Sequence, residues 1–334
     1  MMAANADVIL RQQLVDRRHQ LERALSVGGA GLQVKNLIQE VDTALARMDN
    51  GSYGRCEVCH EPIETDRLIA DPLTRFCLAH LTPQQQRALE TDLGLAAKIQ
   101  KGLLPETHLH YGGWEAAYHY EPAGLVSGDY CDLVPAGSGD FYFILGDVTG
   151  KGVAASMLMV HLQAMFRTLI PMGLPLPELV ARASRVFCES TLPTHYATLV
   201  CGKAADSGEV ELCNAGHPPP LLIAKGGVIL MDPTGLPLGA FCDEQFTTSR
   251  VHVEPGQAIL LYTDGLSEAR DSSGRMYGSE RIRELAVGQQ GRRPKDLMGV
   301  YLSDLAAFRK NAPAGDDLTL MAIRRSPAGG DDVG

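Results

Sequence analysis

Hydrophobic positions follow two regimes along this chain. Up to residue 104 they recur at helical spacing, and beyond 110 they gather into short runs broken by Gly and Pro. Val34, Leu37, Ile38, Val41, Leu45 and Met48 line one side of a helix over 33–49. A second helical stretch over 6–26 is joined to it by the Gly-rich Ser26–Gly31, which predicts a short antiparallel hairpin. Residues 83–104 form a third helix, with Thr82 as N-cap, Pro83 in the first turn and Pro105 as the stop. Its apolar side carries Leu89, Leu93, Ala96, Ala97, Ile99, Leu103 and Leu104. Strands are then predicted at 114–120, 130–134, 140–146, 196–204, 209–214, 219–224, 228–232, 248–253, 257–263 and 318–324. Two helix pairs, 153–170 with 176–190 and 278–288 with 294–309, interrupt this strand series. Helix pairs set into mostly antiparallel strands predict an α+β layered architecture, and the pattern contains no βαβ repetition.

Length refines that picture. At 334 residues, the chain suits one domain of about 200 residues and smaller parts, since domains run to about 100–200 residues. The expected divisions are a helical hairpin at 1–50, a small cysteine-bearing module at 51–82, a connecting helix at 83–110, a strand-rich domain at 111–326 and a disordered tail at 327–334. A net charge of −10 argues against direct nucleic-acid or membrane-surface binding, both of which reward basic patches. No run of about 20 uninterrupted apolar residues is present, so no membrane span is expected. The first ten residues lack the basic-then-apolar pattern of a signal peptide. Three of the eight cysteines cluster with a histidine. The other five (131, 188, 201, 213 and 242) lie scattered in apolar surroundings, as buried free thiols would. That usage points to a reducing, cytoplasmic location.

Cys56-x2-Cys59 and Cys77-x2-His80 are two ligand pairs separated by seventeen residues, the spacing of a closed tetrahedral zinc site. Three thiolates and one imidazole fill the coordination sphere, so this zinc is structural. A redox Cys-x-x-Cys gives no reason for the second pair. His60 competes with His80 as fourth ligand, and His80 fits the paired spacing. Tyr53-Gly-x-Cys56-Glu-x-Cys59, with Ile63, Arg67-Leu68, Ala70 and Pro72, resembles the DksA/TraR zinc-finger family over about residues 10–85. The resemblance implies a coiled coil whose acidic tip enters the secondary channel of RNA polymerase. Here the hairpin is short and its tip has no acidic residue between Ser26 and Gln33, so a scaffolding or dimerisation module is the simpler expectation. An RNA-polymerase-binding protein is the alternative.

Four acidic sites recur at strand ends. Asp129 follows Ser127-Gly128, and Asp147 follows the buried run Phe141–Leu145. Asp264 follows Ala258–Thr263, and Asp316-Asp317 precedes Leu318–Ile323. One such Asp is a turn former. Four in one domain, three of them at the edge of an apolar strand, suit a hard cation such as Mg²⁺ or Mn²⁺. Gly146–Gly152 fails as a P-loop, because three residues separate Gly146 from Gly150 and Lys151 is followed by Gly. Neither Ser127 nor Ser156 lies in a Gly-x-Ser-x-Gly context.

Ser127-Gly-Asp-Tyr130, Gly146-Asp-Val-Thr-Gly-Lys-Gly152, Asn214-Ala-Gly-His217, Thr263-Asp-Gly-Leu-Ser-Glu-Ala269 and Asp316-Asp-Leu-Thr319 resemble, in order, the motifs of PPM-type (type 2C) phosphatases. The SpoIIE/RsbU branch is the most similar, over about 95–326, and Leu95–Pro105 resembles the segment preceding its phosphatase domain. This resemblance implies an αββα sandwich: two antiparallel sheets flanked by helix pairs, with metals at one end. It implies that Asp147 bridges two Mn²⁺ or Mg²⁺ ions with the Val148 carbonyl on one, that Asp264 and Asp316 bind the other, and that Asp129 is a nearby ligand. Glu268 would serve a weak third ion, Asp317 would support its loop, and Asn214 and His217 would form a tight turn. Lys151 and His217 are candidate substrate contacts, His217 as proton donor to the leaving group. The implied reaction is attack of a metal-activated water on phosphoserine or phosphothreonine, without a covalent intermediate. The implied substrate is a phosphorylated regulator of the anti-sigma antagonist type, with homodimerisation through 83–104. Relatives that use an arginine near the domain start have no counterpart here, since no arginine lies between 88 and 166.

Overall fold

The computed structural model describes residues 10–15, 17–19, 21–22, 31–64, 67–68, 71–81, 83–137, 139–192, 194–310 and 312–327. The expected helical residues 6–9, the hairpin tip up to Ala30, the N-cap Thr82 and the tail from 328 lie outside them. Two compact units emerge, Met1–Asp92 and Leu93–Gly334, so the division falls within the connecting helix rather than at either of its ends.

In the first unit, helical backbone at 10–15, 17–19 and 21–22 (α1) lies against α2, Gly31–Asp49. Leu14, Val41 and Ala44 are buried together. Arg11 pairs with Asp49 at 2.8 Å and Arg18 with Asp42 at 2.7 Å, so rising numbers on α1 meet falling numbers on α2. The two helices are antiparallel. α3, Pro83–Leu103, follows the zinc module.

The second unit holds two antiparallel sheets. β1 (His108–Tyr111), β2 (Trp114–Glu121), β11 (Leu318–Arg325), β10 (Ala258–Tyr262), β7 (Leu221–Ala224) and β8 (Gly227–Leu230) form one, in that spatial order. β3 (Asp129–Pro135), β4 (Phe141–Val148), β5 (Ala197–Ala204), β6 (Glu209–Ala215) and β9 (Ser249–His252) form the other. Alternation along each strand explains the layers. On β4, Phe141, Phe143 and Leu145 enter the core between the sheets, while Tyr142, Ile144 and Val148 face α4 (Gly152–Leu169) and α5 (Leu176–Ser190). On β11, Met321 and Ile323 face inward, while Leu318, Leu320 and Ala322 meet α7 (Ser279–Ala286) and α8 (Pro294–Arg309). Central strands buried on both faces read as unbroken apolar runs, which is why they stood out. The result is the expected αββα sandwich.

Several expectations need correction. β4 does not end at Gly146: Asp147 and Val148 are still paired, to Asp129 on one side and to Thr198 and Ala197 on the other. Asp147 is therefore held in a ladder on both sides. The short β1 and the one-turn α6 (Asp264–Ser267) carry too few residues to show a period and escaped notice. Cys188 and Cys242 are not free buried thiols but a disulfide tying the end of α5 to the 239–246 segment. Among the described residues, one helical segment, Gly152–Met172, is long and apolar enough by length and composition to cross a membrane. Its Met159, Leu162 and Phe166 are instead packed on the five-stranded sheet. α4 is further tied there by Arg167, which donates to both oxygens of the wholly buried Asp132 at 2.7 and 2.6 Å.

Candidate active site and zinc centre

The parity that sends Phe143 and Leu145 between the sheets sends Asp147 there too, at the end where β4 runs out. Cys131 and Leu133 give Asp129 the same direction, and Val200 does so for Thr198. From the opposite sheet, Leu261 and Met321 likewise direct Thr263 and Thr319 inward. Asp129 thus lies directly opposite Asp147 in the ladder. Its Oδ2 accepts hydrogen bonds from Thr263 Oγ1 at 3.0 Å and Thr319 Oγ1 at 2.5 Å. Asp129 is 1% exposed, and burial together with the Asp147 charge pushes its pKa well above the carboxylate range. One oxygen is committed to the threonines, so Asp129 spans the two sheets behind Asp147.

The other carboxylates arrive on loops. Asp264 opens α6 immediately after β10. Asp316 and Asp317 precede β11, and Asp317 accepts the Ala123 and Gly128 N–H groups at 2.7 and 2.9 Å, fixing the 123–128 loop. Gly265 is required at this junction, because a Cβ there would sit 1.8 Å from the Asp317 carbonyl oxygen. Burial raises the pKa of Asp147 to about 7, reinforced by Asp264, Asp316 and Asp317. Asp264 is raised by burial, then by Asp316 and Glu268. Glu268 itself is exposed one turn after Asp264. Lys151 pairs with Asp316 Oδ2 at 2.9 Å and donates to the Gly315 carbonyl at 2.8 Å.

Gathered carboxylates, two of them with pKa values raised by burial and by their neighbours' charge, call for a cation, and the space beside Gly128 tests the fit. A Cβ on Gly128 would lie 3.1 Å from the Val148 carbonyl oxygen, 3.5 Å from Asp147 Oδ1 and 3.1 Å from Ala155 Cβ. The two oxygens expected on one ion therefore face a single cradle that only glycine leaves open, and the donor set, all oxygen, suits Mg²⁺ or Mn²⁺. Gly128→Ala is expected to weaken Mn²⁺ binding about 10–100-fold, as supporting changes around metal ligands do. Calorimetric titration checks this, and unchanged affinity would remove the cradle from the site.

Two further contacts had no sequence signal. Gln100 of α3, 4% exposed, donates from Nε2 to the Ser127 carbonyl at 2.7 Å and accepts Ser127 N–H at 3.0 Å. Thr198 Oγ1 lies 2.8 Å from His217 Nδ1. Asn214–His217 is the crossover from β6 of one sheet to β7 of the other, closed by Asn214 Oδ1 accepting His217 N–H at 2.8 Å and Asn214 Nδ2 donating to the His217 carbonyl at 3.1 Å. The tight turn is there, and His217 is 1% exposed, its ring facing the interior. Burial lowers its pKa to about 3. An unfolded histidine titrates near ~6.5, so below that pH the unfolded chain binds the extra proton. Stability is then full above pH ~6.5 and falls on acidification, by up to about 1.4 kcal/mol per pH unit. Asp147, raised to about 7, contributes the opposite slope in this range, so the test is the difference: between pH 7.5 and 5, urea unfolding should show wild-type stability falling more on acidification than that of His217→Asn, and equal slopes would refute it.

In the first unit, Cys56, Cys59, Cys77 and His80 are the group of described residues whose ligand atoms all lie within 4.8 Å of one another. His80 presents Nδ1, 3.2 Å from Cys77 Sγ, and it is His80 and not His60 that joins the cluster. Burial opposes the Cys56 thiolate, yet the surrounding backbone N–H groups bring its pKa down to about 6. Soft thiolates and an imidazole fit Zn²⁺. Among the described residues, the aspartates form no comparably tight group.

Comparison with known proteins agrees with this geometry. Residues 137–326 match the family model for Stage II sporulation protein E (SpoIIE), and residues 51–79 match the prokaryotic dksA/traR C4-type zinc finger. Here His80, one residue beyond the match, is the fourth member of the cluster. The chain is 24% identical over 264 residues to Protein IcfG of Synechocystis and 29% identical over 192 residues to phosphoserine phosphatase RsbP of Bacillus subtilis. These matches cover 70% and 55% of this chain, but only 42% and 47% of the relatives' lengths. Phosphoserine phosphatase RsbU of Bacillus subtilis is 23% identical over 72% of both chains. Among solved structures, the RsbU and RsbW domains of Rv1364c from Mycobacterium tuberculosis align with a TM-score of 0.56 at 28% identity, over 67% of this chain and 63% of that one. The SiaA-PP2C domain of Pseudomonas aeruginosa shares the fold, with a TM-score of 0.62 at 18% identity over 72% of this chain and 98% of that one. With the SpoIIE model matching residues 137–326 of 334, more than half its length, the chain belongs to the SpoIIE family, a PP2C-type domain that here follows a dksA/traR zinc finger.

Proposed function

We propose that the chain is an Mn²⁺- or Mg²⁺-dependent protein serine/threonine phosphatase acting on a phosphorylated regulatory protein of the anti-sigma antagonist type. The observation that carries this reading is the convergence of Asp129, Asp264 and Asp316 on Asp147, whose side chain and the Val148 carbonyl face the space beside Gly128. Family membership and the names of RsbP and RsbU as phosphoserine phosphatases support it.

Asp147 and the Val148 carbonyl would hold one divalent ion, and Asp147, Asp264 and Asp316 the second. Asp264 and Glu268 are the pair to which a third, weaker ion would go. Such ions supply a water nucleophile at neutral pH and neutralise charge on the phosphoryl oxygens. The chain's own residues do the positioning. Asp129, braced by two threonines, fixes the depth of Asp147 through the ladder. Asp317 and Gln100 hold both sides of the loop that carries Gly128. Leu95 and Ile99 are exposed one turn apart on α3 and form the face through which we place a homodimer. The zinc module would control or localise the activity. A cytoplasmic setting, weakened by Cys188 and Cys242, rests on the zinc-site thiols and on the free, buried Cys131, Cys201 and Cys213.

Phosphate release from a phosphoserine peptide by the full chain tests the proposal. Hydrolysis should appear with Mn²⁺, vanish with chelator and return on adding Mn²⁺. Hydrolysis indifferent to chelation would overturn it.

A further inference from the structure

Lys151 stands between α4 and the carboxylate cage. It is the residue before α4, in extended conformation, and its side chain reaches from the loop that follows Asp147 to the loop that precedes β11. There its ammonium meets Asp316 Oδ2 at 2.9 Å and the Gly315 carbonyl at 2.8 Å. Asp316 Oδ2 is also an oxygen that a divalent ion would need. We propose that Lys151 is a built-in competitor for the metal at Asp316, and that its ammonium, once exchanged, becomes the cationic contact for the substrate phosphate.

This rests on the metal-site reading above. The first half follows from charge and geometry: one carboxylate oxygen cannot serve an ammonium and a divalent ion equally well. The second follows from where the ammonium stands, between the loop after Asp147 and the loop that carries Asp316. Lys151 is anchored beside Asp147 and exposed along its stem, and it stays at the mouth of the cage when it leaves Asp316. A lysine ammonium binds phosphate as a point charge. One side chain would thus oppose metal entry and favour substrate entry, and its removal should move the two affinities in opposite directions.

Calorimetric titration of Mn²⁺ into the zinc-loaded full chain separates the possibilities. Lys151→Gln should bind Mn²⁺ about two- to fivefold more tightly than wild type, the scale of a half-exposed ion pair. Lys151→Arg should stay within about twofold of wild type, and Lys225→Gln, in the β7–β8 turn, should not change. In the Mn²⁺-loaded protein, inorganic phosphate should bind Lys151→Gln more weakly than wild type. Equal or weaker Mn²⁺ binding in Lys151→Gln, or equal tightening in Lys225→Gln, overturns the competition. Unchanged phosphate affinity overturns the substrate contact. A wild type that takes up no Mn²⁺ would instead sink the metal-site reading itself, and this inference with it.

Discussion

Asp147→Asn should lower Mn²⁺-dependent hydrolysis of a phosphoserine peptide by at least about 10³-fold while leaving the protein folded. Metal stabilisation of the transition state is worth several kcal/mol, and about 4 kcal/mol is 10³-fold in rate. Asp147 is the carboxylate through which both ions would be joined, so its loss removes more than one ligand's share. The amide keeps the shape and the ladder to Asp129 and Thr198. It also removes a charge that burial and Asp264 disfavour, so stability should hold or rise. The discriminating pair of measurements is kcat and the urea midpoint. A retained kcat would remove Asp147 from the reaction. A collapsed midpoint would mean that the loss reports folding and not chemistry.

The second large effect concerns the zinc centre. Cys56→Ser with Cys77→Ser should release about one equivalent of zinc per chain and unfold the module around residues 51–81. Structural zinc contributes about 10–16 kcal/mol in small fingers, and the apolar cluster under this site is slight. That cluster consists of Leu10, Ile63 and Leu68 beside the two buried cysteines themselves. Metal analysis gives the stoichiometry, and proteolysis followed by mass spectrometry should show new cleavage confined to the first unit. Unchanged zinc content would refute the site. The comparison with Asp147→Asn is informative, because each substitution should spare the other's metal.

How much of this was legible depends on which interactions are local. The central strands showed because both faces are buried: Phe141–Leu145 and Ala258–Leu261 read as continuous apolar runs. The same continuity hid the parity, so whether Asp147 points between the sheets or toward α4 emerges only from the facing layers. Zinc ligation was readable from two short pairs with fixed spacing. Spacing favoured His80 over His60, and the structure brings His80 into the cluster. Register was not readable, and the bracing residues depend on it. Thr198 matters because it faces Asp147 across β4 and β5, and Thr319 because β11 brings it beneath Asp129 from 190 residues away. The Cys188–Cys242 link spans 54 residues and leaves no spacing signal. His217 was identified by its motif, but a turn sequence does not disclose that its ring is buried.

The most direct test of the metal assignment is anomalous diffraction at the manganese edge from crystals of the full chain grown with Mn²⁺. Two peaks are expected, one beside Gly128 against Asp147 and the Val148 carbonyl, the other against Asp147, Asp264 and Asp316. Peaks placed away from Asp147, or none at saturating Mn²⁺, would contradict it.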